Sequence, residues 1–180
     1  NHYTEANSWQ YSFYFPHDVD GYLKMVGGKE KLEEKLDQLF TTDSKTTGRE
    51  QSDITGLIGQ YAHGNEPSHH IAYLYNYTSS PHKAQKLLNK IMNEFYTNRP
   101  DGLIGNEDCG QMSAWFVMSA IGFYPVNPSN NQFLWGSPQF EKVILKSDKG
   151  FEVELSALHK SVNSYYLKSI EMTDKDFFFS

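Results

Sequence analysis

Apolar residues recur at helical spacing through the first half of the chain and give way to short alternating runs near its end. Leu32, Leu36, Leu39 and Phe40 fall at i, i+4, i+7 and i+8. That stripe predicts a helix opening at Gly28-Lys29 and stopped by the polar cluster Thr41-Thr42-Asp43. Before it, Asp18 to Val26 reads as a shorter helix closed by Gly27-Gly28, with His17-Asp18 as its cap. Ser80 at the N-cap and Pro81 in the first turn open a helix to about Tyr96 that turns Ala84, Leu87, Leu88, Ile91, Met92 and Phe95 inward. Residues 67 to 77 make another helix with Pro67 at its start. Met112 to Ile121 is apolar on nearly all sides and ends at Gly122, which predicts a helix packed inside other helices.

After Pro125 and Pro128 the texture changes. Phe133-Leu134-Trp135, Lys142-Val143-Ile144-Leu145 and Phe151-Glu152-Val153-Glu154-Leu155 alternate or run as short β-rich stretches, with a turn at Asp148-Lys149-Gly150. The expectation is a mainly α chain with a C-terminal β region, divided near residues 126 to 131, helical layer first and antiparallel sheet second. Both ends look cut. An acid-centred run follows the start within a few residues, and Asp176-Phe177-Phe178-Phe179 ends the chain as an aromatic run without a partner strand. Five helices with wide apolar faces are also too few to enclose one another, so the chain reads as a C-terminal fragment of a longer protein.

Its 180 residues are 38% apolar, and 12 Tyr, 12 Phe and 3 Trp make any core lean on rings. Such rings fill cores or stack on sugars. With 22 acids against 16 bases the formal charge is -6, which repels phosphate backbones and argues against a nucleic-acid partner. No apolar run of about 18 residues and no charged-then-apolar leader occurs, so neither a membrane span nor a signal peptide is expected within it. The single cysteine, Cys109, allows no internal disulfide or zinc thiol pair. It reads as a small buried filler, because no basic partner precedes it. The sequon Asn76-Tyr77-Thr78 falls in a helical pattern, where chance accounts for it.

Three acid-centred runs carry the chemistry: Glu5-Ala6-Asn7-Ser8-Trp9-Gln10-Tyr11, Gly64-Asn65-Glu66-Pro67-Ser68-His69-His70 and Gly105-Asn106-Glu107-Asp108-Cys109-Gly110-Gln111. The last sets two carboxylates at the mouth of the most apolar helix, which suits catalysis, metal binding or plain N-capping by Asp108. Glu66 and Asn65 offer hard oxygen donors of the kind calcium takes, and Gln10 a weaker one. Glu66 also suits a helix N-terminus facing the dipole. Adjacent histidines differ by about 100° around a helix, so His69 and His70 do not pair on one zinc as an i, i+4 pair would.

Together with Pro16-His17-Asp18, Tyr73-Leu74-Tyr75-Asn76-Tyr77, Met112-Ser113-Ala114-Trp115, Gly122-Phe123-Tyr124-Pro125 and Gly136-Ser137-Pro138, these runs resemble glycoside hydrolase family 92, in order and over almost the whole chain. The resemblance implies a calcium-dependent (Ca2+), inverting exo-α-mannosidase acting on mannose-containing glycans. It implies an N-terminal β-sandwich and an (α/α)6 barrel. Residues 1–128 would then be the C-terminal half of that barrel and residues 129–180 a β region packing on barrel or sandwich. The missing N-terminal part of the same protein is the expected partner, and an exported, periplasmic or cell-surface location follows by family likeness.

Inverting hydrolysis needs one carboxylic acid to protonate the leaving oxygen and one carboxylate to activate water, roughly 6.5 to 9.5 Å apart. Glu5, near the indole of Trp9 that would desolvate it, is the expected general acid. Asp108 is the expected base, held ionised by the helix amides of residues 110 to 113, with Glu107 as second candidate or base-orienter. By likeness His69 and His70 donate to sugar hydroxyls, Trp9 stacks on the sugar, and Glu66, Asn65 and Gln10 are candidates around calcium. Two other readings stand beside this one: a non-catalytic carbohydrate-binding or scaffold fragment of the same fold, and a zinc metallohydrolase built on Glu66, His69 and His70. On the first, the isolated segment is expected to be inactive and poorly soluble, since each bare Å² of apolar face costs on the order of 25 cal/mol.

Overall fold

In a computed structural model, which describes residues 3–47, 51–150, 152–158 and 165–171, the helical stripes become α-helices within a residue or two of their expected ends. Helix α1 is Ser8–Tyr11, α2 Val19–Val26, α3 Lys29–Thr41, α4 Pro81–Glu94 and α5 Gln111–Ile121. Asp18 caps α2 by accepting the Gly21 N–H at 2.8 Å, and Gly27 ends it in a left-handed conformation, φ +98°. Helix α3 buries Leu32, Leu36, Leu39 and Phe40. Helix α4 buries Ala84, Leu88, Ile91 and Met92, with Leu87 and Phe95 packed at the margin. Ser80 holds the N-cap position of α4 without a side-chain cap bond, and Pro81 supplies the preset φ of the first turn.

Two helical expectations change. The segment from 66 to 77 winds as two 3₁₀ turns, Glu66–Ser68 and Ile71–Tyr77, rather than as one α-helix. Its tyrosines are claimed by different elements: Tyr73 donates to Ser119 Oγ on α5 at 2.8 Å and Tyr75 to Asp37 Oδ1 on α3 at 2.8 Å. Asp37 also receives Lys83 of α4, which bridges it to Glu33 at 2.7 Å. Helix α5, expected to be covered all round, buries Met112, Trp115, Ser119 and Ala120 but leaves Val117 55% exposed. Among the described residues α4 and strand β3 (Phe123–Tyr124) lie against it.

The strands form three separate antiparallel pairs among the described residues, in place of the one sheet expected. Strands β1 (Leu57–Ile58) and β2 (Tyr61–Ala62), too short to signal themselves, turn at Gly59, φ +60°, where a Cβ would lie 2.4 Å from the Leu39 carbonyl oxygen. Strand β3 pairs with β4 (Leu134–Trp135), so the first strand of the β region precedes the expected division. Strands β5 (Lys142–Lys146) and β6 (Glu152–Ser156) set Val143 opposite Leu155 and Leu145 opposite Val153 on a half-buried face. Lys146 meets Glu152 across the exposed face at 3.0 Å. Phe151 and the run Phe177-Phe178-Phe179 lie outside the described residues.

One core joins α3, α4, α5 and the Ile71–Tyr77 turn. Leu32, Leu36, Leu39, Ile71, Leu74, Leu88 and Ile91 are fully buried in it, each contributing about 1.5 to 3 kcal/mol by leaving water.

Candidate functional site

The first acidic run is held in an unusual backbone. Glu5 lies at φ +61°, the left-handed region that costs a side-chain-bearing residue about 1 to 2 kcal/mol. Three consecutive carbonyls around it are fixed by side-chain donors. The Tyr11 hydroxyl donates to Thr4 O at 2.9 Å, Asn65 Nδ2 to Glu5 O at 3.0 Å and Gln51 Nε2 to Ala6 O at 3.2 Å. Immediately after, Asn7 caps α1: its Oδ1 accepts the Trp9 N–H at 2.8 Å, and Gln10 Oε1 returns the favour to the Asn7 N–H at 2.7 Å. This capping box, Asn-x-x-Gln, opens α1, a helix that the sequence analysis did not expect. Gln10 is 1% exposed, and its amide nitrogen donates to Gln60 O.

Glu5 itself is exposed, so the expected cover by the Trp9 indole is absent. Trp9 instead leans half-buried on the core and borders a hollow of about 250 Å³ with Asn7, Gln51 and Gln60.

The second and third runs meet the first through amide side chains and bare backbone. Asn106 Nδ2 donates to Asn65 Oδ1 at 3.1 Å and to Asp53 Oδ1 at 2.9 Å, while the Asn106 N–H donates to Gly64 O at 2.9 Å. A Cβ on Gly105 would lie 2.3 Å from both Cα and O of Gly64, so the two runs cross with backbones in contact. Sequence reading brought these runs together only through the family resemblance. Asp53, Gln51 and Gln60, which lie between the runs, escaped it because polar loop residues carry no periodic signal.

Glu66 begins a 3₁₀ turn, and its Oε1 is buried without a hydrogen-bond partner; Thr55 Oγ1 and His69 Nδ1 share that condition. His69 and His70 are 1% and 5% exposed. Their Nε2 atoms donate to backbone carbonyls, His69 to His63 O at 3.0 Å and His70 to Phe13 O at 2.7 Å. The protons expected for sugar hydroxyls are therefore spent on the fold, and the free Nδ1 of His69 is an acceptor. Desolvation lowers both histidines to about 4, which keeps the rings neutral near pH 7. The rings reach different segments, and among the described residues no three His, Cys, Asp or Glu side chains gather as a metal site. The zinc reading thus lacks its ligand geometry.

At the mouth of α5 the roles of the two acids differ from expectation. Glu107, not Asp108, accepts from the helix: its carboxylate takes the Ser113 N–H at 3.1 Å. Asp108 opens a short 3₁₀ turn, Asp108–Gly110, and is exposed. The chain then passes through two left-handed residues, Cys109 at φ +54° and Gly110 at φ +76°, before α5 begins. That detour keeps Asp108 from capping α5 and turns Cys109 outward; the cysteine is exposed rather than a buried filler.

Beneath the crossing lies a polar relay that the sequence did not announce. Tyr96 donates its hydroxyl proton to Met112 O at 3.1 Å, so it accepts from His63 Nε2 at 2.7 Å; His63 Nδ1 then accepts from the Tyr61 hydroxyl at 2.7 Å. His63 is fully buried, and desolvation holds its pKa well below the ordinary imidazole value. Trp115 is 1% exposed, packs edge-on to His63 at 4.4 Å and donates Nε1–H to His69 O at 2.9 Å. It is a core residue.

Of the oxygens expected around calcium, Glu66 Oε1 is buried and has an unused lone pair. Asn65 Oδ1 and Gln10 Oε1 each already accept one hydrogen bond.

Comparison with known proteins gives a consistent set. A family model described as the glycosyl hydrolase family 92 catalytic domain matches residues 1–178. The family GH92 α-mannosidase BT3965 from Bacteroides thetaiotaomicron is 47% identical, with a TM-score of 0.81 over 92% of this chain and 22% of its own; it has also been solved with mannoimidazole. The family GH92 inverting mannosidase BT2199 from the same organism is 37% identical, with a TM-score of 0.69 over 86% of this chain and 22% of its own. A protein of Arthroderma benhamiae described as an uncharacterized secreted glycosidase is 29% identical over 142 residues, 79% of this chain and 16% of that protein. The chain thus spans about a fifth of these solved structures and less of the curated relative.

Proposed function

Because the chain belongs to glycosyl hydrolase family 92, we propose that it forms part of the catalytic domain of an exo-α-mannosidase that removes terminal mannose by single-displacement, inverting hydrolysis. The observation that carries this reading is the junction of the three acidic runs, joined by Asn65 and Asn106 with Glu66 Oε1 left unpartnered beside them. In it Glu5 protonates the leaving oxygen as that bond breaks. Asp108 takes a proton from the attacking water on the opposite sugar face. Glu107, anchored to the Ser113 N–H, fixes the turn that aims Asp108. His69 and His70, both buried, steady the segment beside the sugar, and Trp9 offers an indole face at the hollow.

Glu66 would hold calcium through Oε1, while Asn65 and Gln10 would join only through a second lone pair. Bound there, the ion supplies electrostatic hold on sugar hydroxyls. On this reading residues 1–128 would be the C-terminal half of an (α/α)6 barrel whose other helices come from the rest of the protein, and residues 129–180 a β region packing on the barrel or on a sandwich domain. The bare Val117 face of α5 supports that completion. Among the described residues no helix is long and apolar enough to cross a membrane. The relative described as secreted supports an exported enzyme.

The test is kinetic, in the full-length protein. Glu5→Gln loses about 10²- to 10⁴-fold in kcat on a mannoside with a sugar leaving group and little on one with an acidic phenol. Asp108→Asn loses on both. Equal losses for Glu5→Gln on the two substrates remove its role, and turnover that survives exhaustive chelation removes the metal.

A further inference from the structure

The crossing of the three runs contains a chain of amide bonds with one direction. At one end stands the Glu5 carbonyl and at the other the Asp53 carboxylate, both acceptors only. Asn106 Nδ2 therefore spends one proton on Asp53 and the other on Asn65 Oδ1, which leaves Asn65 Nδ2 facing Glu5. Asn65 is 2% exposed, and its bond to Glu5 spans sixty positions of sequence. The bond lands on the carbonyl of the residue whose φ is +61°. In an L-residue the direction of Cα–Cβ follows the local backbone, and a left-handed residue sends its side chain along a line that an extended or helical one does not. Whatever holds the carbonyl in this turn also aims the carboxyl.

We propose that Asn65 is a positioning residue for the general acid: it locks the left-handed turn at Glu5 and, through Asn106, ties that turn to the loop carrying Asp108. The inference rests on the assignment of Glu5 as acid. It gives Asn65 work different from ligating a metal. Its amide nitrogen holds the acid's backbone and its oxygen receives the base loop. Tyr11 and Gln51, on the flanking carbonyls of Thr4 and Ala6, are auxiliary holds.

The experiment compares Asn65→Ala, Asn65→Asp and Glu5→Gln in the full-length protein on two mannosides, one with a sugar leaving group and one with an acidic phenol. A misaimed acid loses on the order of 10²-fold in kcat on the first, with KM nearly unchanged, and no more than a few-fold on the second. Asn65→Asp matches Asn65→Ala, because a carboxylate set against the Glu5 carbonyl cannot donate. The proposal is overturned if the Asn65 variants lose equally on both substrates while Glu5→Gln keeps its leaving-group dependence. If Glu5→Gln itself shows no such dependence, the acid assignment fails instead. Should the Asn65 variants not fold, Tyr11→Phe carries the test, with the same substrate pattern at a several-fold loss; an even loss on both substrates counts against the proposal.

Discussion

Gly105→Ala tests the crossing of the runs at its tightest point. The new Cβ would lie 2.3 Å from Gly64 Cα, 2.3 Å from Gly64 O and 2.7 Å from Gly64 C. Carbon atoms in contact keep about 3.5 to 4.0 Å, so the two strands of backbone must part by roughly 1 Å or more. They have little room to do so, since Thr55 Oγ1 already occupies the space a Cβ on Gly64 would take, at 1.8 Å. Overpacking costs about 1 to 3 kcal/mol and loss of the Asn106 N–H to Gly64 O bond about 1 more, for a total near 2 to 4 kcal/mol. The same parting moves Asp108 relative to Glu66, and a shift of about 1 Å in a reacting group costs on the order of 100-fold in kcat. Urea denaturation of the full-length protein reads the first effect and steady-state kinetics the second. Gly150→Ala is the control: its φ is +82° with open space around it, so it loses about 1 kcal/mol and no activity. A Gly105→Ala protein as stable and active as its parent would refute the backbone contact.

Two further outcomes follow from the buried histidines. His69 and His70 sit at about 4 in the fold against 6.5 in the open chain. Below pH 6.5 the unfolded state therefore takes up protons that the folded state refuses, and stability falls as pH drops toward 4, by up to roughly 3 kcal/mol for each ring. Denaturation midpoints from pH 7.5 to 4.5 check this, and a flat profile contradicts it. His63→Phe leaves the Tyr61 and Tyr96 hydroxyls without their shared partner and loses about 2 to 4 kcal/mol in the same assay, while a loss under 0.5 kcal/mol would show the relay to be idle.

Local rules made much of this fold legible. The stripe of α3, the Asp18 cap and Gly27 stop of α2, and the Pro81 opening of α4 are each decided by neighbours in sequence. The segment from 66 to 77 was not, because Tyr73 and Tyr75 answer to α5 and α3, and those distant bonds set its winding. The all-round apolar surface of α5 shows what its faces suit, not what covers them, and in this chain Val117 stays exposed. At the site, the sequence exposed the acids but not their division of labour. Glu107 rather than Asp108 meets the helix amides because Cys109 and Gly110 turn left-handed between them, and no motif marks a non-glycine residue for that conformation. The partners of Asn65 lie 60 and 41 positions away. Only the folded chain joins them.

The most direct test is a crystal structure of the full-length protein with a mannose-shaped inhibitor and calcium. The Glu5 and Asp108 carboxylates are expected on opposite sides of the sugar ring, roughly 6.5 to 9.5 Å apart, with Glu66 turned toward the metal. Carboxylates on one side of the ring, or separated well beyond that span, would contradict it.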